Sequence, residues 1–284
     1  MDTFLASPHV SNEFADPLGM NLDQGRAVCG FLACYVGLRH LVLPAVSGRL
    51  SKCYREDLSA WEKAQWLSRW ISLIHCFPAC WLASVAILAE PGEYWTDATL
   101  IDSNSWLSQR AVANTMAYMI HDVVDLLANY LTHGKSDGGA LVWCHHIFGI
   151  GCYLHFYSYG KFAVIVCAWI LTELSTPFLN MIWFYEKLKM PNARTYSGVL
   201  LWVAYLPTRM LLSPLTGVAL YDFWPSFQRL PTLCYGQFIT MLSFATVMNY
   251  FWFYKITKGL IKALKKTFGA AAPDREGGDG KKSR

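Results

Sequence analysis

The sequence contains 284 residues, of which 54% are hydrophobic and only 15% are charged, and its formal net charge is +4. A soluble globular domain carries about 25% charged residues, so this composition excludes an ordinary soluble protein. The modest positive charge also argues against a chain specialised for nucleic acid, and we expect no nucleic-acid partner.

Seven long apolar runs follow one another along the chain, and each is long enough to cross a hydrocarbon core of ~30 Å. Only helices and closed barrels satisfy their backbone groups in lipid, and these runs show no strict alternation. We therefore predict an all-α fold, a polytopic transmembrane helical bundle or barrel with about seven helices. The predicted spans are residues 26–47, 66–89, 107–131, 140–159, 161–185, 196–221 and 232–256.

The basic residues of the loops predict the orientation. The first loop carries four of them, from Arg49 to Lys63, and the fifth loop and the C-terminal tail are basic too. The second loop, from Glu90 to Trp106, has no Lys or Arg and is acidic. Basic loops stay on the cytosolic side of a membrane, so we predict a lumenal N-terminus and a cytosolic C-terminus.

Ionisable and amide side chains recur inside the predicted spans, where a charge costs at least ~2.5–3.5 kcal/mol. Tyr118, Asp122 and Asp125 lie four and three residues apart, so they share one helical face. His145 and His146 are adjacent in the fourth span, and at least one of them should face the bundle interior. The remaining polar residues predicted to face a common chamber are His75, Glu173, Asn180, Arg209 and Asn249.

Two interpretations of these residues stay open. In the functional one, a histidine of the pair is a general base that Asp122 or Glu173 orients. In the structural one, the polar groups form a satisfied network that fixes helix register, with Arg209 neutralising a carboxylate. Adjacent residues on a helix rarely chelate one ion, and no Cys/His spacing is typical of zinc, so we predict no metal and no cofactor.

The segment from His145–His146 through Glu173-Leu-Ser-Thr-Pro-Phe-Leu-Asn180 resembles the TLC domain, and within that family the subgroup of TLC domain-containing protein 4. The resemblance covers roughly residues 61–262. It divides the chain into a lumenal segment 1–25, a first transmembrane helix with a basic cytosolic loop 26–60, a six-helix TLC domain 61–262, and a flexible basic cytosolic tail 263–284.

The resemblance implies a multi-pass membrane protein of membrane lipid homeostasis, located in the endoplasmic reticulum, with a buried polar lipid-binding chamber. Ceramide synthases of this superfamily transfer an acyl chain from acyl-coenzyme A to a sphingoid base, and their paired histidines correspond to His145 and His146. One alternative is therefore an acyl-coenzyme A-dependent N- or O-acyltransferase of the ceramide synthase type. The other is a non-catalytic lipid sensor or cargo receptor.

Two departures separate this chain from the family pattern. The family usually has Ser or Thr three residues after the second histidine, where Gly149 stands here, and an Arg before the Trp, where Ile182 stands here. The H-D-x-x-D motif of the ceramide synthases follows the histidine pair, whereas His121 to Asp125 precedes it here. By the resemblance, the predicted catalytic residues are His145, His146, Asp122 and Glu173, and the predicted chamber residues are Tyr118, Asp125, His75, Asn180, Arg209 and Asn249.

The chain ends in Lys281-Lys282-Ser283-Arg284. Lysines at the third and fourth places from a C-terminus resemble the dilysine retrieval signal, which coat proteins read on cytosolic tails of endoplasmic-reticulum proteins. We therefore predict Lys281 and Lys282 as retrieval residues, and coat proteins as partners beside membrane lipids and acyl-coenzyme A.

Overall fold

The computed structural model describes residues 20–89, 96, 100–135 and 138–269, and within them every regular element is helical. The all-α prediction is therefore confirmed. The seven long helices of this part of the chain are α1 Leu22–Leu50, α2 Ala60–Ala89, α3 Trp106–His133, α4 Ala140–Tyr159, α5 Ala163–Lys187, α6 Pro191–Asp222 and α7 Thr232–Gly269. A short helix, Trp224–Phe227, precedes α7.

Three of the long helices contain a turn that is not α-helical. A π turn, Leu38–Val42, interrupts α1; a 3₁₀ turn, Leu171–Ser175, interrupts α5; and a π turn, Leu206–Met210, interrupts α6. Pro207 lies in the third of these and has no N–H, and the Leu211 N–H donates to the Leu206 carbonyl at 3.0 Å, five residues back. Each such turn changes the phase of its helix, so the side chains in it point where an unbroken α-helix would not place them.

Local signals in the sequence fix several helix ends. Asn21 caps α1 in a reciprocal pair with Gln24, and Ser105 caps α3 in the same way with Ser108. Both caps satisfy N–H groups that the first turn of a helix leaves without partners. At the other ends, α3 and α4 finish at Gly134 and Gly160, which take the left-handed conformation that glycine adopts without strain.

The core lies between α2 and α3, which contact each other through small side chains. Ala79 and Ala83 of α2 are fully buried, as are Ala113 and Ala117 of α3. Such small residues let two helix backbones approach closely, which is how helices associate in a membrane. α1 packs along α3 on the outside of this pair, so α2 and α3 form the inner wall of the bundle.

A second, smaller apolar cluster lies at the end of the bundle where α4 meets α5. It is centred on Phe162, which is fully buried and stacks on Phe227 and Phe238. Leu100 and Ile101 of the second loop pack into it, and the Phe162 N–H donates to the Ile101 carbonyl. This cluster closes that end of the bundle and ties the second loop to α5.

Four of the helices, α1, α2, α5 and α6, are long and apolar enough to cross a membrane by length and composition. The chain is therefore a multi-pass membrane protein, while the full count of seven crossings stays a prediction. The long helices α3, α4 and α7 have lower hydropathy because they carry polar side chains, such as Asp122 in α3 and the His145–His146 pair in α4. Those side chains line the interior described below.

Candidate functional site

A cavity of about 1100 Å³ lies between α2, α3, α4, α5, α6 and α7. Eight of the ten residues predicted for catalysis or for the chamber line it: Tyr118, Asp122, Asp125, His145, His146, Glu173, Asn180 and Arg209. These side chains come from four helices far apart in sequence. The structure thus brings these eight side chains to one cavity, and their chemical roles stay predictions.

Glu173 and Arg209 form the charged centre of the cavity wall. Glu173 lies in the 3₁₀ turn of α5 and Arg209 in the π turn of α6, and both are buried. Their closest approach is 3.8 Å, between Glu173 Oε1 and an Arg209 terminal nitrogen, which is longer than a hydrogen bond. Arg209 instead donates to Ser175 Oγ at 3.1 Å and to Asn249 Oδ1 at 3.3 Å. The two opposite charges neutralise each other, but no hydrogen bond joins the Glu173 carboxylate to the Arg209 guanidinium.

The two adjacent histidines have different surroundings. His146 is buried, and its Nε2 lies 3.4 Å from Asp122 Oδ2. His145 packs edge-on against Trp252 of α7, with ring centroids 4.9 Å apart. Asp122 therefore orients His146, whereas α7 holds His145 through ring packing. A general base needs a carboxylate of this kind to fix its tautomer, so His146 is the stronger candidate of the pair.

Two predicted chamber residues stand behind the cavity wall. His75 is fully buried, stacks on the Tyr118 ring at 3.7 Å between centroids, and approaches the Ser72 carbonyl through Nδ1 at 3.1 Å. Asn249 accepts from Arg209 and from the Tyr205 hydroxyl. Both residues position a neighbour that does line the cavity.

Asp125 lies at the edge of the cavity and is already engaged. It accepts a hydrogen bond from Arg39 of α1 at 3.0 Å and another from the Ser68 hydroxyl. Arg39 also donates to the Ala64 carbonyl at 3.3 Å. The pair joins α1, α2 and α3. Arg39 could not be recognised from the sequence as the partner of Asp125, because α1 and α3 are distant in sequence.

Asn180 ties α5 to α2 at the cavity wall. Its side-chain Nδ2 donates to Ser72 Oγ at 3.0 Å, and its side-chain Oδ1 accepts from Arg69 at 3.3 Å. Ser72 and Ser175 also line the cavity, and Ser175 was not predicted as a site residue. A hydroxyl in an apolar helix is a weak signal by itself, because serine can bond to the carbonyl of its own preceding turn.

One end of the cavity is basic. Arg194 at the start of α6 and Lys255, Lys262 and Lys266 of α7 line it, and all four are exposed. We call these four residues the basic mouth. The three lysines recur at seven and four residues, so they share one face of α7. The basic stretch from Lys255 to Lys266 is thus part of α7 and carries part of the cavity wall.

Gly149 of α4 is explained by its contact with α3. A Cβ atom at this position would overlap the sulfur of Met119, and Met119 itself lines the cavity. A serine at this place would push Met119 aside. The departure from the family pattern therefore accompanies a close approach of α3 and α4.

One group of side chains could in principle offer ligands to a metal ion. A ring nitrogen of His75, Cys76 Sγ and a Glu173 oxygen lie within 4.8 Å of one another. Arg209 already stands 3.8 Å from Glu173 and opposes a second cation there. We assign no metal to this group, and the predicted absence of a metal stays a prediction.

The predicted retrieval residues Lys281 and Lys282 lie outside the described residues.

Comparison with known proteins identifies the family. The sequence profile of the TLC domain matches residues 65–258. TLC domain-containing protein 4-B of Danio rerio is 25% identical over 257 residues, which cover 86% of this chain and 92% of that protein. TLC domain-containing protein 4 of Homo sapiens is 29% identical over 220 residues, which cover 73% and 78%. No solved structure matches the chain. Since the profile matches well over half of the sequence, this chain belongs to the TLC-domain family.

Proposed function

We propose that this protein binds a membrane lipid with an anionic headgroup in its cavity and acts in membrane lipid homeostasis. The observation that carries the proposal is the lining of one cavity of about 1100 Å³, which combines the basic mouth, apolar side chains and buried polar groups. A cavity of this size exceeds the 300–1,000 Å³ typical of small-molecule sites, and a lipid needs such length.

The apolar part of the cavity lining suits a hydrocarbon chain. It is formed by aliphatic and thioether side chains from α3, α4, α5, α6 and α7, namely Met119, Leu126, Val142, Leu179, Ile182, Leu201, Ile256 and Leu260. Burying a chain against such a surface gains roughly 0.8 kcal/mol per methylene. The apolar walls therefore support binding of the lipid tail.

The basic mouth suits a phosphate or carboxylate headgroup. Lysine and arginine near the membrane surface attract anionic lipids by about 1 kcal/mol per residue. Lys258 and Lys265 lie on the same helix, are exposed, and do not line the cavity, so they attract the membrane surface in general. The two sets of lysines carry the same kind of charge and differ in whether they line the cavity.

That difference supplies a matched experiment. The protein is purified in mild detergent, and its co-purified lipids are identified by mass spectrometry. We expect Lys262→Ala with Lys266→Ala to lose most of the bound anionic lipid, and Lys258→Ala with Lys265→Ala to retain it. Equal retention in both double variants would refute headgroup recognition at the mouth.

A second candidate, an acyl-coenzyme A-dependent acyltransferase, is favoured by the His146–Asp122 pair inside the same cavity. In this mechanism His146 takes a proton from an acceptor amine or hydroxyl, and Asp122 stabilises the imidazolium that forms. The acceptor atom attacks the thioester carbonyl, and the coenzyme A thiolate leaves with a proton from the histidine. The phosphates of coenzyme A would meet the basic mouth.

Incubation with labelled acyl-coenzyme A and a panel of lipid acceptors separates the two candidates. Turnover that disappears in His145→Ala/His146→Ala, while that variant still binds lipid, would establish the enzyme. Lipid binding without turnover in the unaltered protein would establish a non-catalytic lipid sensor or cargo receptor.

We further propose that the protein resides in the endoplasmic reticulum with a cytosolic C-terminus. The distribution of Lys and Arg among the loops supports this orientation. A glycosylation acceptor engineered at Asn104 should be modified, and one in the tail should not. Replacing Lys281 and Lys282 by Ser should let the protein reach the Golgi or cell surface if coat proteins read the dilysine signal.

A further inference from the structure

A second cavity, of about 550 Å³, lies on the outer side of the bundle between α2 and α5. We call it the lateral groove. It is lined by Cys76, Phe77, Pro78, Cys80, Trp81 and Ser84 of α2 and by Glu173, Leu174 and Pro177 of α5. Phe77 and Trp81 at its rim are 69% and 70% exposed, so the groove opens outward.

The surroundings of the groove determine what fills it. Both α2 and α5 are long and apolar enough to cross a membrane, and the groove lies along residues 76–84 of α2 and 173–177 of α5. In that position its open side faces hydrocarbon and not water. Apart from Ser84 and Glu173 its lining is apolar or sulfur-containing, so a hydrocarbon chain of a bilayer lipid is the occupant that fits it.

The inner end of the groove holds a buried carboxylate, and a lipid that merely fills the groove does not explain it. Glu173 is buried there, and it is the single residue, within the part of the chain that the structure describes, that lines both the groove and the large cavity. A carboxylate at the base of an apolar groove costs free energy that a structural lipid contact would not repay.

The two oxygens of Glu173 have different neighbours. Oε2 accepts from Thr176 Oγ1 at 2.7 Å and lies 3.8 Å from Cys76 Sγ, which lines the groove. Oε1 faces Arg209 at 3.8 Å, beyond hydrogen-bonding distance. A carboxylate has about four lone-pair sites, so Glu173 keeps acceptor capacity for a donor that arrives from the groove.

We propose that the lateral groove is an entrance through which a long-chain membrane lipid brings a hydroxyl or amine group to Glu173. The tail of that lipid stays in the groove, and its donor group reaches the wall of the large cavity. The inference rests on the proposed lipid-binding function and adds a second, bilayer-facing route to the cytosolic route through the basic mouth.

The test uses photoactivatable lipids in nanodiscs that contain the full-length protein. One probe is a diacylglycerol with a diazirine in its acyl chain, which has a free hydroxyl; its partner is a phosphatidylcholine with the same chain and no such donor. Cross-linked peptides are then identified by mass spectrometry. We expect the diacylglycerol to label the groove residues of α2 and α5 more strongly than the phosphatidylcholine does.

Ser84→Trp and, independently, Cys80→Trp fill the groove and should abolish that labelling. Val218→Trp is the control, because Val218 is 50% exposed on α6 and lines neither cavity. Unchanged labelling in both groove variants, or equal labelling by both probes, would overturn the entrance. If both variants still retained anionic lipid, the large cavity would bind lipid independently of the groove. If the unaltered protein showed neither groove labelling nor bound anionic lipid, both proposals would be refuted.

Discussion

Two buried ion pairs in the part of the chain that the structure describes differ in how completely their carboxylates are engaged. Arg39 and Asp125 approach to 3.0 Å, and Asp125 also accepts from Ser68. Arg209 and Glu173 remain 3.8 Å apart, although both are equally buried. The first pair joins three helices at the edge of the cavity, and the second lies at its centre.

This difference separates a structural contact from a candidate binding contact. In the Arg39–Asp125 pair, both carboxylate oxygens of Asp125 accept from protein donors, so the pair stabilises the packing of α1 on α2 and α3. In the Arg209–Glu173 pair, Arg209 is held by Ser175 and Asn249, which leaves Glu173 oxygen capacity toward the cavities. An open pair of this kind costs stability and gains a place for a ligand.

The largest effect is expected from Asp125→Ala. This change leaves the Arg39 guanidinium buried without its carboxylate, and it should cost about 3–5 kcal/mol of stability. Thermal unfolding in detergent measures the loss. The double variant Arg39→Met/Asp125→Leu removes both charges and should recover most of it. A double variant as unstable as Asp125→Ala would show that packing, and not the unpaired charge, is responsible.

Glu173→Gln should destabilise the protein less, by about 1–3 kcal/mol, because Arg209 keeps its bonds to Ser175 and Asn249. Lipid binding or turnover, in contrast, should be largely lost. Thermal unfolding and lipid retention are measured on the same preparation. If Glu173→Gln were as destabilised as Asp125→Ala and still bound lipid, the distinction between the two pairs would be wrong.

His146→Ala should be thermally less costly still, about 1 kcal/mol, because one interaction with Asp122 is lost. If the protein is a transferase, this change should abolish turnover, whereas His145→Ala should leave part of it because His145 has no carboxylate contact of this kind in the described residues. Assays of both single variants with labelled acyl-coenzyme A make the comparison. Equal losses of turnover in both single variants would contradict the assignment of His146 as the base.

The smallest effect is expected from Gly149→Ser. The new Cβ displaces the flexible Met119 side chain, which can rotate, so we expect a stability change within about 1 kcal/mol. Met119 lines the cavity, and its displacement should narrow the space for a lipid chain. A shift in the chain length of co-purified lipid would confirm this, and Gly151→Ser, where a Cβ meets its nearest neighbour at 3.8 Å, is the control.

Much of the candidate site could be predicted from the sequence because charges are rare in apolar helices. Asp122, Glu173 and Arg209 each stand in a run of hydrophobic residues, and the cost of exposing them to lipid required that they face inward. The same reasoning could not distinguish His145 from His146, since adjacent positions differ by a rotation that depends on how α4 packs against α3 and α7.

The fold class, the positions of the helices and the inward direction of the polar residues follow from hydrophobicity and helical periodicity within single segments of the chain. Which side chains meet one another depends on tertiary packing. Arg39 meets Asp125, Arg209 stops short of Glu173, and Glu173 separates two cavities. Arg39, Glu173 and Arg209 all lie in π or 3₁₀ turns. The phase of such a turn is set by the packing of neighbouring helices, and periodicity within one segment does not record it.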